Sequence, residues 1–442
     1  MTLTRRDLLG HAGTALALSA AGLHTSATAQ AGPVTLRFSW WGGAERHQLT
    51  LKAIEAFEAR HPGIKVKAEY GGYGGYLERL TTQMAGGSEP DLLQCDWGWL
   101  PMFSRDGKGF ADLNAHRAVM SLDQFAPDAL RIGTLSGKLN ALPAAFTARV
   151  FVWNRTAIDK AGLSIPRSWD DLFAMGPKVK AKLGDKAYAL DGDSYDLLLL
   201  AHAYAMQAHG QPYVSPTEPR LAMSEAGLRE WVGAYKRLAS NNVCVPVPYR
   251  TALGGADKPT EQQPDWANGN WLGYCAWDSA TRLRAGALAA GQTAEIGEFL
   301  TLPGAKSSGV FARASMVLAV SRNSRQPEAA ARLLNFLLTD EAAARILVNT
   351  RGIPMASGPL KQLLRDGRMG PAELQAFQQV KALRESGRIP PASPHFENAR
   401  IQQLMRTVFE QVAYGRISDA DAVRRLKDEG TQLLSRMRQP EA

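Results

Sequence analysis

The chain has little cysteine. Cys95, Cys244 and Cys275 are an odd number with no Cys-x-x-Cys pair, which excludes a disulfide framework and the usual zinc spacings. They read instead as three small buried hydrophobes. G-x-S-x-G, H-E-x-x-H and G-x-x-x-x-G-K-[ST] are all missing, and with them the commonest nucleophile, zinc and phosphate signatures. Gly72-Tyr73-Gly74-Gly75 fails as a dinucleotide-binding G-x-G-x-x-G because Leu77 holds its last position. Residues 191–196 begin like a calcium loop but put Tyr195 where an oxygen ligand belongs and Asp196 where the glycine belongs. No metal, no cofactor and no catalytic centre is therefore expected. There is also no basic run. The 51 Lys and Arg are spread among 42 Asp and Glu, so the net charge of +9 argues for no nucleic acid. That charge fits either an acidic ligand or solubility alone.

What is present starts at the N-terminus. Thr4-Arg5-Arg6-Asp7-Leu8-Leu9 sets paired arginines before an Ala-, Gly- and Leu-rich run ending at Leu23, and Ala27-Thr28-Ala29 is a small-x-small site. Charge, apolar run and cleavage site in that order predict a signal peptide over residues 1–29. The arginine pair fits twin-arginine export, with general secretion the alternative. No cysteine stands at the cleavage site for a lipid anchor, and no later segment approaches spanning length. The expectation is a soluble, periplasmic monomer, long enough for two or three domains.

Val34, Leu36, Phe38 and Trp40 alternate with polar residues, which predicts a strand. Thr50, Ala53, Ile54 and Phe57 mark one face of a helix, and Ile64 to Tyr70 alternates as a second strand. Leu77, Leu80 and Met84 carry a second helix before a short buried strand from Asp91 to Cys95. This β-α-β-α-β order calls for a parallel sheet, whose ligands lie beyond the carboxyl ends of the strands. A second α/β unit starts near Val150. Ser168 is placed to cap a helix with Asp171 at N3, and Tyr188 to Leu190 reads as a strand. A largely apolar helix follows from Tyr195 to His209, and Trp231 and Tyr235 fall on the core face of another.

From Ser39-Trp40-Trp41-Gly42-Gly43 onward, the chain resembles the extracellular solute-binding proteins of family 1, the sugar-binding components of ABC importers. The likeness runs through A-F-E-A-R-H-P-G-I-K-V from Ala56, L-T-T-Q-M-A-G-G-S-E-P-D from Leu80, W-N-R-T-A-I-D-K-A-G-L from Trp153 and P-R-S-W-D-D-L from Pro166. It continues in Trp266-Ala267-Asn268-Gly269-Asn270-Trp271 and in Arg351-Gly352-Ile353-Pro354. Within that family, S-W-W-G-G-x-x-R-H with E-P-D-L-L-Q-C-D-W-G-W-L resembles the oligogalacturonide-binding proteins of pectin uptake. The resemblance implies a two-lobed α/β fold of the type II, maltose-binding-like class, closing on its ligand at hinge crossings. One lobe would be 32–146 plus 276–314, and the other 147–275 plus 315–442. The first crossing would lie near Ala144–Ala148. It also implies membrane permease subunits as partners.

A sugar offers apolar C–H faces to aromatic rings and hydroxyls to polar groups, and a uronate adds a carboxylate suited to arginine. At the expected cleft the aromatic candidates are Trp41, Tyr73, Trp97, Trp99, Tyr195, Trp277 and Phe396. Of these, Trp41 has a strand-end core position as its rival reading. Trp97 and Trp99 flank Gly98, so at least one should line the cleft. Trp40 shares the parity of Phe38 and belongs to the core. Asp96, Asp193 and Asp278 are candidates for hydroxyls. Arg46, Arg149, Arg313 and Arg351 are candidates for a carboxylate, with Thr147 beside Arg149 at the crossing. Two rival readings remain: a neutral-oligosaccharide binder of the same family, and a secreted polysaccharide-degrading enzyme with carboxylate pairs that leave no sequence signature.

Overall fold

The computed structural model describes residues 33–438. The predicted signal peptide and the last four residues lie outside them. The first lobe opens as the periodicity requires. Strand β1 (Val34–Trp41), helix α1 (Ala44–Arg60), β2 (Ile64–Gly71), α2 (Tyr76–Ala85) and β3 (Leu92–Cys95) follow in order. Strand β1 pairs in parallel with both β2 and β3. The buried residues of α1 are Thr50, Ala53, Ile54 and Phe57, the four predicted by spacing. Leu36, Phe38 and Trp40 are fully buried beneath them, each contributing about 1.5–3 kcal/mol through lost apolar surface.

One strand ties the lobes together. Strand β4 (Ala141–Asn154) runs without interruption through Ala144–Ala148, where the first crossing is expected, bent only by register irregularities at Pro143, Ala145 and Phe146. Its first half pairs with β7 (Ala312–Val320), which in turn pairs antiparallel with β3. Its second half pairs with β5 (Gly273–Trp277) and β6 (Ala294–Gly297). Period two then sorts its side chains between two cores. Phe151 and Trp153 join the helices α3 (Trp169–Leu183), α4 (Ser194–His209) and α5 (Glu225–Leu238). Val150 and Val152 face Trp266, Trp271 and Tyr274 on the other side.

The expected lobe boundaries are corrected. Residues 276–311 pack with the second lobe, where Ala276, Ile296 and Val310 share one core and Leu300 and Phe311 the other. Residues 315–356 belong largely to the first, because the apolar run of β7 is buried between β3 and β4, and helix α6 (Pro327–Thr339) covers it with Ala330, Leu333, Leu334 and Leu337. The chain then returns to the second lobe through α7 (Pro371–Glu385), α8 (Ala399–Ala413) and α9 (Asp419–Arg438). The Ser168 cap forms with its reciprocal Asp171 bond, and Trp231 and Tyr235 are core. The segment from Tyr188 to Leu190 makes only isolated bridges, to Trp271 and Cys244. All three cysteines are free and buried.

Candidate functional site

The parallel strands of the first lobe end at Trp41 and Cys95, and the segments that follow hold an aromatic shelf. The Trp41 ring meets Tyr76 at 5.0 Å, Trp99 at 5.4 Å and Tyr73 at 5.6 Å between centroids, and Tyr73 stacks on Trp99 at 6.0 Å. Tyr76 is buried and donates its hydroxyl to the Gln94 carbonyl at 2.9 Å. Tyr73 is the outermost ring, 58 % exposed.

Two arginines lie behind this shelf. Arg46, in the first turn of α1, folds back over the strand end and donates to the carbonyls of Thr350 at 2.9 Å and Trp41 at 3.1 Å. A Cβ on Gly42 would stand 2.6 Å from its Cδ, so the glycine makes this path possible. Arg351 donates to Gln94 Oε1 at 3.0 Å and Thr50 Oγ1 at 2.9 Å, while its buried Nη1 has no partner among the described residues. Gln94 in turn donates to the Trp41 carbonyl at 3.2 Å. Among the described residues neither guanidinium has a carboxylate in ion-pair contact. Burial lowers Arg46 from its ordinary value, and burial together with the Arg46 charge pushes Arg351 down to about 9.

The other two candidate arginines are neutralised. Trp277 lies between them, 5.0 Å from the Arg149 guanidinium and 5.3 Å from that of Arg313. Arg149 donates to Asp196 and to the Cys275 carbonyl. Arg313 faces Asp96 at 3.4 Å and Glu397 at 3.2 Å. Burial opposes its charge, but Glu397 and Asp96 prevail and hold it above its ordinary value. For Glu397 burial prevails, and its carboxyl is raised despite Arg313. Tyr195 donates its hydroxyl to Glu397 at 3.3 Å and carries the Arg406 guanidinium 4.0 Å from its ring centroid.

At the crossing, Thr147 Oγ1 donates to Asp278 Oδ1 at 2.5 Å, with the Ala148 N–H behind it at 3.3 Å. Burial pushes the Asp278 carboxyl up to about 6. These two polar groups satisfy each other.

Sequence-predicted residues thus fall into three sets. Trp41, Tyr73, Trp99, Arg46 and Arg351 form one wall, and Asp96, Arg149, Tyr195, Trp277 and Arg313 form an ion-paired group beside it. Thr147 and Asp278 pin the crossing. Three others lie elsewhere. Trp97 shares the first-lobe core with Trp41 and Trp99, all three being buried, but donates Nε1 to the Ile132 carbonyl at 3.2 Å instead of joining the shelf. Phe396 is buried against Phe311 and His202. Asp193 caps α4 by accepting from the N–H groups of Tyr195 and Asp196. Sequence reasoning missed Glu397, Asp196 and Gln94. The first two each follow a residue that it had selected.

Chemically the site offers ring faces, oxygen acceptors and two uncompensated cations. The buried cysteine thiols are pushed up from their ordinary value by desolvation. Desolvation pushes His202 down to about 4, and its Nε2 accepts from the Tyr213 N–H. Among the described residues there is no cluster of three or more metal-ligating groups, and no helix is long and apolar enough to cross a membrane.

The fold and the sequence both have relatives. A periplasmic solute-binding protein of Pectobacterium atrosepticum is 37 % identical, matching 92 % of this chain and 100 % of its own at a TM-score of 0.84. A periplasmic oligogalacturonide-binding protein of Yersinia enterocolitica, solved with saturated digalacturonic acid, is 34 % identical over 92 % of this chain and 100 % of its own, at a TM-score of 0.83. A diacetylchitobiose-binding protein of Streptomyces coelicolor is 24 % identical over 86 % of this chain and 85 % of its own. Residues 43–344 match the bacterial extracellular solute-binding protein family, and on that match the chain belongs to it, with the type II, maltose-binding-like fold.

Proposed function

We propose that this protein is the periplasmic substrate-binding component of an ABC importer and that it captures acidic oligosaccharides, oligogalacturonides in particular, by closing its two lobes. The observation that carries the acidic reading is the pair Arg46 and Arg351, neighbouring and half-buried, with no carboxylate in ion-pair contact among the described residues. An uncompensated buried charge is costly, and a uronate carboxylate is the ligand group that relieves it, through the planar fork of arginine. The exposed Tyr73 ring, backed by the buried Trp41 and Trp99, supplies the apolar surface for sugar ring faces. Binding of digalacturonic acid by the Yersinia relative supports the same class of ligand. Arg149 and Arg313, already neutralised by Asp196, Asp96 and Glu397, suit a role in shaping the site and orienting hydroxyl acceptors. The predicted signal peptide supports the periplasm, and the family supports permease subunits as partners. Titration calorimetry with digalacturonate and with galactobiose, its neutral counterpart, tests the reading. Digalacturonate should bind and galactobiose should bind at least about tenfold more weakly, a step of about 1.4 kcal/mol. Equal affinities reject the acidic ligand and leave a neutral-oligosaccharide binder. Release of new reducing ends or unsaturated products from polygalacturonate would identify an enzyme instead.

A further inference from the structure

Gly98 lies on the short turn after β3, between Trp97 and Trp99, and the segment leading into α8 of the second lobe comes against it. A Cβ on Gly98 would fall 2.5 Å from Glu397 Cβ and 3.5 Å from both Glu397 Cγ and Asp96 Oδ1 of its own lobe. The backbone there is not left-handed, so the turn itself does not demand glycine. The missing side chain makes room for Glu397 of the opposite lobe, the nearest group to the position a Cβ would take. The approach is flanked by a charged group that spans the cleft. Arg313, on a crossing strand, holds Asp96 of the first lobe and Glu397 of the second, and Tyr195 donates to Glu397.

We infer that Gly98 and Glu397 form the contact that sets how far the lobes close, so that Gly98 is a positioning residue for solute capture whether or not it touches the sugar. Carbon atoms pack at about 3.5–4.0 Å, so a methyl group at position 98 holds the lobes apart by about 1 Å or more. At the present separation Arg313 reaches a carboxylate of each lobe. A wedge there weakens every ligand contact made across the cleft, while the separate lobes fold as before.

The inference rests on the solute-binding reading but not on the identity of the sugar. Gly98→Ala should keep the melting temperature of the free protein and lose about tenfold or more in digalacturonate affinity, with less contraction on binding by small-angle scattering. Glu397→Gly removes the opposing Cβ, and in that background Gly98→Ala should cause no further loss. Unchanged affinity in Gly98→Ala, or a loss that persists undiminished in the Glu397→Gly background, overturns the inference. A second arm needs no ligand. The double variant Gly98→Cys/Glu397→Cys should cross-link under mild oxidant, read as a mobility shift on a non-reducing gel, and failure to cross-link overturns the inference. If the wild type binds no digalacturonate, the acidic-sugar reading fails and the cross-link alone decides this one.

Discussion

Arg351→Met separates a ligand-binding charge from a structural one, because its effects on the free and bound protein differ in kind. In the free protein the substitution loses hydrogen bonds to Gln94 and Thr50, about 1 kcal/mol each. It also removes a half-buried cation that has no carboxylate in ion-pair contact among the described residues and feels the Arg46 charge, and methionine keeps much of the apolar stem. The two effects oppose each other, so the melting temperature should move by no more than about 4 °C, the range expected for a change of about 1 kcal/mol. In the complex the balance is different. A uronate carboxylate stripped of water would lose its bidentate partner, a loss of about 2–5 kcal/mol or roughly 30- to several-thousand-fold in affinity. Galactobiose presents no carboxylate, so its binding should change little, and the preference for the acidic sugar should collapse. Calorimetry with both sugars and thermal unfolding without ligand read the two halves. Digalacturonate affinity retained within about threefold would refute the argument. So would a fall in melting temperature beyond about 8 °C, which would make Arg351 a structural residue.

Two further substitutions have effects that follow from burial and charge. Arg313→Met leaves Asp96 and Glu397 buried without their shared cation. The free protein should lose about 3–5 kcal/mol of stability by chemical denaturation, and a loss below about 1 kcal/mol would contradict the pairing. Asp278 has its carboxyl pushed up to about 6 from 3.8. Between those values the folded chain keeps a proton that the unfolded chain has released, so its contribution to stability is full below about pH 4 and is lost as pH rises through about 6. Asp278→Asn keeps an oxygen acceptor for Thr147 and Ala148 and should stabilise the protein at pH 7.5 by up to about 3 kcal/mol, with the gain shrinking towards pH 4.5. Equal gains at both pH values would refute the burial argument.

What the sequence could and could not tell follows from the range of the interactions involved. The face of α1 was readable because helical spacing alone decides which of Thr50, Ala53, Ile54 and Phe57 share a side. The Ser168 cap was readable because its partner Asp171 stands three residues away, and Trp40 followed the parity of Phe38. Lobe membership beyond Cys275 was not readable. The run Met316 to Val320 is buried on both faces between β3 and β4, and an apolar run carries no mark of which sheet receives it. Trp97 and Trp99 flank Gly98 on a three-residue turn, where side chains two apart point in different directions. Composition therefore could not select the one that joins the shelf.

The arginines show the same limit most clearly. All four were placed at the expected cleft, Arg149 and Arg313 at crossings and Arg46 and Arg351 in loops. Which of them are free to hold a ligand charge depends on what stands opposite. Arg149 is neutralised by Asp196, 47 residues away, and Arg313 by Asp96, 217 residues away. Arg46 and Arg351, 305 positions apart in the numbering, meet only when the strand ends and the segment after α6 come together. An arginine's availability is thus decided by the absence of a carboxylate beside it. Spacing in the sequence cannot report that absence, because the residues that would neutralise each cation are brought up by folding from distant parts of the chain.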